Sequence, residues 1–371
     1  RNKKLIGGNM LQEITVEELL KLENAVLIDV RSENEFSQGT IPGAINIPLF
    51  TNEERKEIGT VYNQESAKQA MELGLKIAGG KLYTLYEQIN RLAVRKPLVL
   101  FCWRGGLRSK SLAVVLDIMG LHVLRLSGGY KAYRRHVVRF FEEKFPYRVV
   151  VLKGNTGTGK TEILQELKAQ GYPVLDLESL ANHRGSVFGS IGLGVQPSQK
   201  QFESLIYHEL INYQEYDYII VECESSKIGK LNLPRSLVEA MREGTEILIY
   251  DTIESRADRL VRQYILSSEA ISELKQALVK LKKYLGTTNL NELVQMLEKQ
   301  EYHEFAVRLM STYYDKLYGY PNEEQDYEFC INNKNLEQSI SKIKDYLDKN
   351  YGLHKSVKDR WCLHWPEKEQ Y

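Results

Sequence analysis

The stretch "YRVVVLKGNTGTGKTEILQELKAQG" (147–171) constrains this chain more than any other. An apolar run of strand length meets Gly154, Gly157 and Gly159. Lys160, Thr161 and an apolar pattern of helical period follow. Strand, glycine turn and helix in that order belong to a parallel α/β unit. The glycines let backbone N–H groups face an anion, and the start of the helix adds positive potential there. Lys160 can reach terminal phosphate oxygens, and the Thr161 hydroxyl can ligate Mg²⁺. The expected phosphate-binding set is Gly154, Asn155, Thr156, Gly157, Thr158, Gly159, Lys160 and Thr161. The pattern asks for a diphosphate or a triphosphate without choosing between them. An acid after a further strand usually assists such a metal. Glu222 is the first candidate beside Thr161, with Glu224 and Asp176 as alternatives.

A second loop lies about fifty residues upstream. "PLVLFC" (97–102) is a buried-strand run that ends on Cys102, and "WRGGL" leads into a helix starting near Arg108 and Ser109. Gly105 and Gly106 let the chain turn with N–H groups inward, a nest for an anion. Arg104 and Arg108 add positive charge. Such a field favours thiolate over thiol and makes Cys102 a nucleophile.

The 371 residues suggest two domains at roughly 150 residues each. With 43% hydrophobic and 27% charged residues the chain can form real cores. The net charge of +1 excludes a global pull toward nucleic acid, so RNA contacts must come from local patches. The four cysteines (Cys102, Cys223, Cys330, Cys362) form no CxxC pair and no disulfide framework, which suits a reduced, cytoplasmic protein. No apolar run reaches the roughly 18 residues of a membrane span, and no signal-peptide pattern opens the chain. Residues 1–9 precede the first methionine and stay outside the fold reading.

The pattern divides the chain into an α/β unit over 11–140, a phosphate-loop α/β unit with helical insertion over 147–335, and a C-terminal helix and tail over 336–371. Expected strands of the first are 25–30, 97–102 and 121–129. Those of the second are 147–154, 173–178, 216–222 and 245–251. Residues 131–146, "KAYRRHVVRFFEEKFP", read as a basic and aromatic connector. Lys131, Arg134, Arg135, Arg139 and Tyr133 there are candidates for gripping RNA, with Tyr130 interleaved. The lysines of "LKQALVKLKKYL" (274–285) are a second candidate. His183 and Arg184 sit in a glycine-rich loop where a catalytic or substrate loop would follow a strand. Arg256 and Arg259, with Arg262 three residues on, share a helix face that could close over phosphate.

"DVRSENEF" (29–36), "GTIPGAINIP" (39–48), the Cys102 loop and "LSGGYKAYR" (126–134) resemble, in order, the motifs of rhodanese domains. In that family the loop cysteine carries a persulfide or otherwise handles a chalcogen. Here Cys102 to Arg108 spans seven residues, where many sulfurtransferases use six. This length also resembles the dual-specificity cysteine phosphatases and suits a tetrahedral oxyanion. Joined to the phosphate loop, "CWRGGLRS", "LANHRGSVFG", "QPSQKQFE" and "VECESSKIGKLNLP" resemble the tRNA 2-selenouridine synthases, from about Ile14 to at least Tyr264. One departure is Cys223 between the two acids of "VECES", which puts the metal role of that position in doubt.

The resemblance implies a doubly α/β architecture, a rhodanese-like parallel sheet followed by a P-loop NTPase-like parallel sheet with a helical C-terminal part. It implies action on the wobble 2-thiouridine of tRNA, S-geranylated by geranyl diphosphate and then selenated by selenophosphate. No tightly bound cofactor is expected, and Mg²⁺ is a candidate only through Thr161 and Glu222. Cys102, Arg104, Arg108, His183 and Arg184 would carry the chemistry. Three other readings stay open on the residues alone. One is an ATP-dependent RNA sulfurtransferase or kinase using a cysteine persulfide. Another is a non-catalytic module sensing anions and nucleotides, and the third is a phosphatase.

Overall fold

The computed structural model describes residues 11–93, 96–222, 225–265, 268–321, 327 and 329–351. Cys223, Glu224, Cys362 and the final segment from 352 lie outside the described residues. By its internal contacts the chain forms two compact units, Arg1–Phe140 with Pro197–Leu205, and Phe141–Gln196 with Ile206–Tyr371.

The first unit is built on β1 (Gln12–Ile14), β2 (Val26–Asp29), β3 (Ile45–Asn46), β4 (Leu98–Phe101) and β5 (Val123–Leu126). They form one sheet in the order β1-β5-β4-β2-β3, every pair parallel. The central strand β4 is fully buried, which is why its sequence is continuously apolar. Its neighbours in the core include Ile28, Leu85, Ile89, Leu112, Leu116 and Val123. The stretch read as a connector is a helix, Gly129–Glu142, whose buried face carries Tyr130, Tyr133 and Val137. Lys131, Arg135 and Arg139 are exposed on it at spacings of four, one helix face. The "QPSQKQFE" stretch from Pro197 onward also belongs here. Ser198 Oγ donates to Gln38 O at 2.6 Å, Thr40 N donates to Gln201 Oε1 at 2.7 Å, and Arg134 pairs with Glu203 at 2.5 Å.

The second unit contains β6 (Arg148–Lys153), β7 (Tyr218–Glu222), the small antiparallel pair β8 (Lys227–Ile228) and β9 (Leu231–Asn232), β10 (Thr245–Tyr250) and β11 (Phe329–Asn332). The main sheet runs β11-β10-β6-β7, again all parallel. The run 173–178 is no strand. Val174 makes a single bridge to Ile220, and Asp176 caps a short helix, Leu177–Ala181, by accepting the Ser179 N–H at 2.9 Å. The fourth strand is instead β11, some eighty residues after β10. Helices 253–264, 268–280, 282–298 and 302–309 form the helical part, with its own core around Phe188, Leu278, Leu293 and Phe305. The helix Leu336–Asn350 packs Ile340, Ile343 and Leu347 onto the core of the main sheet.

Both glycine loops lie beyond the carboxyl ends of central parallel strands, where open α/β sheets bind ligands.

Candidate active site

Cys102 follows β4 and is 3% exposed. Its sulfur accepts from Ser109 Oγ at 3.3 Å and lies 3.9 Å from Gly106 O. The Gly106 carbonyl thus faces the sulfur, a departure from a nest of amides alone. The loop is held from below by the chain after β5. Tyr130 N donates to Cys102 O and Lys131 N to Trp103 O, both at 2.9 Å, and Arg125 donates to Gly105 O. Gly129 has φ +57°, and a Cβ there would stand 2.2 Å from Cys102 O and 2.4 Å from Gly105 N. Only glycine allows this approach.

Arg108 is engaged bidentately by Glu35, at 2.6 and 3.1 Å. Burial pulls the Glu35 carboxyl upward. The Arg108 hydrogen bond and charge outweigh it, with help from the Ser32 N–H and Arg55, and hold it below its ordinary value. Arg31, 1% exposed, pairs with Asp29, donates to Gly39 O at 2.7 Å and stacks 4.1 Å from the Tyr130 ring centroid. The Asp-Val-Arg motif is thus a buried lock. Arg31, Glu35, Arg55, Trp103, Arg108 and Lys200 line an open pocket beside the loop. Arg104 is exposed at the loop's edge.

In the second unit, β6 passes into the phosphate loop and the helix Lys160–Ala169. A Cβ on Gly154, φ +145°, would meet Ile249 O at 2.1 Å. Five consecutive loop carbonyls each accept from a side chain. Lys160 Nζ donates to Gly154 O at 2.7 Å and Asn155 O at 3.1 Å, Arg256 Nε to Thr156 O at 2.9 Å, Arg259 Nη1 to Gly157 O at 3.1 Å, and Asn333 Nδ2 to Thr158 O at 2.8 Å. With the carbonyls so engaged, the loop's remaining offering is N–H groups, which suit an anion. Its cradle is lined by Lys160, Thr161, Arg184, Arg259 and Arg262, with Glu162 and Glu178 as the acids.

The sequence candidates are distributed unevenly around this cradle. Thr156, Thr158 and Lys160 line it, and Asn155, fully buried, ties the loop to Tyr320 O at 2.7 Å. Arg256 is also fully buried. It sits behind the loop, paired with Asp315 at 2.5 and 3.1 Å, whereas the spacing argument had put it over phosphate. Arg259 lines the cradle and pairs with buried Asp251 at 2.7 Å. Arg184 lines it as well, over the Tyr264 ring at 5.1 Å. His183 is 8% exposed, and burial lowers its pKa, so it is neutral near pH 7. Its ring packs against Gly189.

Glu222, 2% exposed, accepts the Glu178 N–H at 2.9 Å, and Glu178 rather than Glu222 lines the cradle. Among the described residues no three His, Cys, Asp or Glu side chains cluster as a metal site. The Thr161 hydroxyl and Glu178 fit a Mg²⁺ that keeps waters and binds chiefly through substrate phosphates. Tyr133 is 1% exposed and packs on Tyr130 at 6.4 Å, so it supports its helix from inside. Sequence reasoning missed Glu35, Glu178 and Asn333. All three are recognisable only through partners distant in the chain.

A cysteine-loop sheet and a phosphate-loop sheet with a helical part define the class: a rhodanese-like domain joined to a P-loop domain. The first matches the rhodanese-like domain family over residues 15–136, and the second matches the tRNA 2-selenouridine synthase AAA domain over 147–352. Similar proteins include the tRNA 2-selenouridine synthase of Hahella chejuensis, 32% identical over 92% of this chain and 96% of that one. Those of Nitrosomonas eutropha (35%, 72% and 70%) and Pseudomonas syringae pv. syringae (33%, 82% and 91%) match likewise. The chain belongs to the tRNA 2-selenouridine synthase family.

Proposed function

We propose that this protein converts the wobble 2-thiouridine of tRNA to 2-selenouridine in two steps, one on each loop, in the cytoplasm. The phosphate loop takes geranyl diphosphate. The thiouridine sulfur displaces diphosphate from the geranyl carbon, and Lys160, Arg184, Arg259 and the loop amides receive the charge that develops on the leaving group. A Mg²⁺ held by Thr161, with Glu178 beside it, would supply further neutralisation of the phosphates.

The Cys102 loop takes selenophosphate. Its thiolate attacks phosphorus, so that an S–P bond forms as the P–Se bond breaks and selenide is released. Selenide replaces the S-geranyl group on the base, geranyl thiolate leaves, and water hydrolyses the cysteinyl phosphate. Ser109 holds the sulfur in place for the attack, and Lys131, Arg135 and Arg139 offer an exposed basic face for tRNA phosphates.

The observation that carries this reading is the pairing, in one chain, of a sulfur seated in a seven-residue loop with a phosphate loop whose carbonyls are all engaged. The test is mass analysis of tRNA nucleosides after incubation with geranyl diphosphate and then selenophosphate. Lys160→Ala should stop S-geranylation. Cys102→Ala should leave S-geranyl-uridine unconverted. Intact geranylation in the first variant, normal selenation in the second, or a requirement for ATP hydrolysis would overturn the scheme.

A further inference from the structure

The open pocket beside the cysteine loop carries more positive charge than the Cys102 chemistry uses. It holds about 310 Å³, the lower end of the range for small-molecule sites. Four of its lining side chains are cationic, Arg31, Arg55, Arg108 and Lys200, against the one acid Glu35. Arg31 is offset by Asp29, and Arg108 by Glu35. Arg55 and Lys200 are exposed and have no ion-pair partner among the described residues. Two uncompensated charges therefore face the same opening, and they attract an anion there.

Trp103 lines the same pocket, half-buried and held from below. Its ring meets Tyr130 at 5.7 Å, and the Arg31 guanidinium lies 6.0 Å from it. Its carbonyl accepts the Lys131 N–H at 2.9 Å. That bond ties the pocket to the first turn of the helix Gly129–Glu142, whose exposed face carries Lys131, Arg135 and Arg139. An indole fixed in this way loses little freedom when a flat ligand stacks on it. Free cations beside a fixed indole match a phosphate that carries a flat ring. Bare phosphate would leave Trp103 and most of the volume unused. An acidic peptide would engage the cations and leave the indole unmatched.

We infer that this pocket seats one nucleotide of single-stranded RNA, its base stacked on Trp103 and its phosphate held by Arg55 and Lys200. This rests on the function proposed above, in which tRNA comes to the cysteine loop for selenation. It adds that the strand has its own seat beside that loop, continuous with the basic helix face. The three residues bind and orient the strand and take no part in making or breaking bonds.

The experiment follows tryptophan emission of the full-length protein during titration with uridine 5′-monophosphate, uridine, inorganic phosphate and tetraglutamate. Uridine monophosphate should quench Trp103 and bind about tenfold more tightly than any of the other three. Trp103→Phe keeps a ring for stacking and leaves Trp361 and Trp365 as emitters. It should lose the quench while calorimetry still finds most of the affinity. Arg55→Ala combined with Lys200→Ala, both at exposed positions, should bring uridine monophosphate down to the affinity of uridine. In selenation of S-geranyl tRNA the same double variant should raise KM about tenfold and keep kcat within about twofold. Inorganic phosphate or tetraglutamate binding as tightly as uridine monophosphate overturns the nucleotide seat. So does a quench that survives Trp103→Phe, or an unchanged affinity in the double variant. A wild type that binds uridine monophosphate as expected but selenates no tRNA leaves the seat standing and overturns the function proposed above.

Discussion

Replacing Asp315 by alanine decides whether Arg256 is a phosphate ligand or a brace. Arg256 is fully buried, and its guanidinium is held by Asp315 at 2.5 and 3.1 Å and by Thr156 O at 2.9 Å. Removing one partner of a buried pair strands a charge, at a cost of about 3–5 kcal/mol. Asp315 is 17% exposed, so water can reach its side of the pair and the lower end applies, about 3 kcal/mol. With a denaturant slope of about 3 kcal/mol per molar urea, the unfolding midpoint of the second unit should fall by about 1 M. The functional sign is opposite for the two roles. A brace set loose lets Thr156 and the loop shift, so inorganic diphosphate should bind about tenfold more weakly. A lid arginine freed from its carboxylate would bind phosphate better. Urea unfolding followed by circular dichroism and calorimetric titration with diphosphate give both numbers. Unchanged stability together with tighter diphosphate binding would refute the reasoning.

Two more outcomes test the first unit. The Glu35 carboxyl ionises below its ordinary value of 4.5, so its pair with Arg108 contributes stability in full above about pH 4.5 and loses it as pH falls through the depressed folded value. The acid side of a pH–urea-midpoint curve should flatten in Glu35→Gln, and a curve identical to wild type would count against the pair. Gly129→Ala puts a Cβ 2.2 Å from Cys102 O at a φ of +57° and should displace the cysteine loop. Selenation should fall by about a hundredfold or more while S-geranylation persists, as read by nucleoside mass analysis.

What could be read in the chain before its structure depended on how local the cause was. Strand β4, the Cys102 turn and the phosphate loop are legible because apolar runs and glycines act over a few residues, and the architecture followed from their order. The stretch 173–178 misleads by the same logic. It is apolar enough for a strand, but Asp176 is used as a helix cap, and the sheet closes with Phe329–Asn332 instead. The helix face of Arg256 and Arg259 was visible, but its meaning was not, since a row of arginines with a spacing of three looks alike whether it meets phosphate or carboxylate. Asp315 lies 59 residues beyond Arg256, and Asn333 lies 175 beyond Thr158. Asn333 takes one carbonyl of the loop directly, and Asp315 holds the Arg256 that takes another. That dispersal has a functional consequence. On the function proposed above, the loop's anion affinity should depend on Asn333, just after β11, and on Asp315, in the helical part, neither of which need touch the anion. Changes far from the glycine motif should therefore tune diphosphate binding without altering the motif itself.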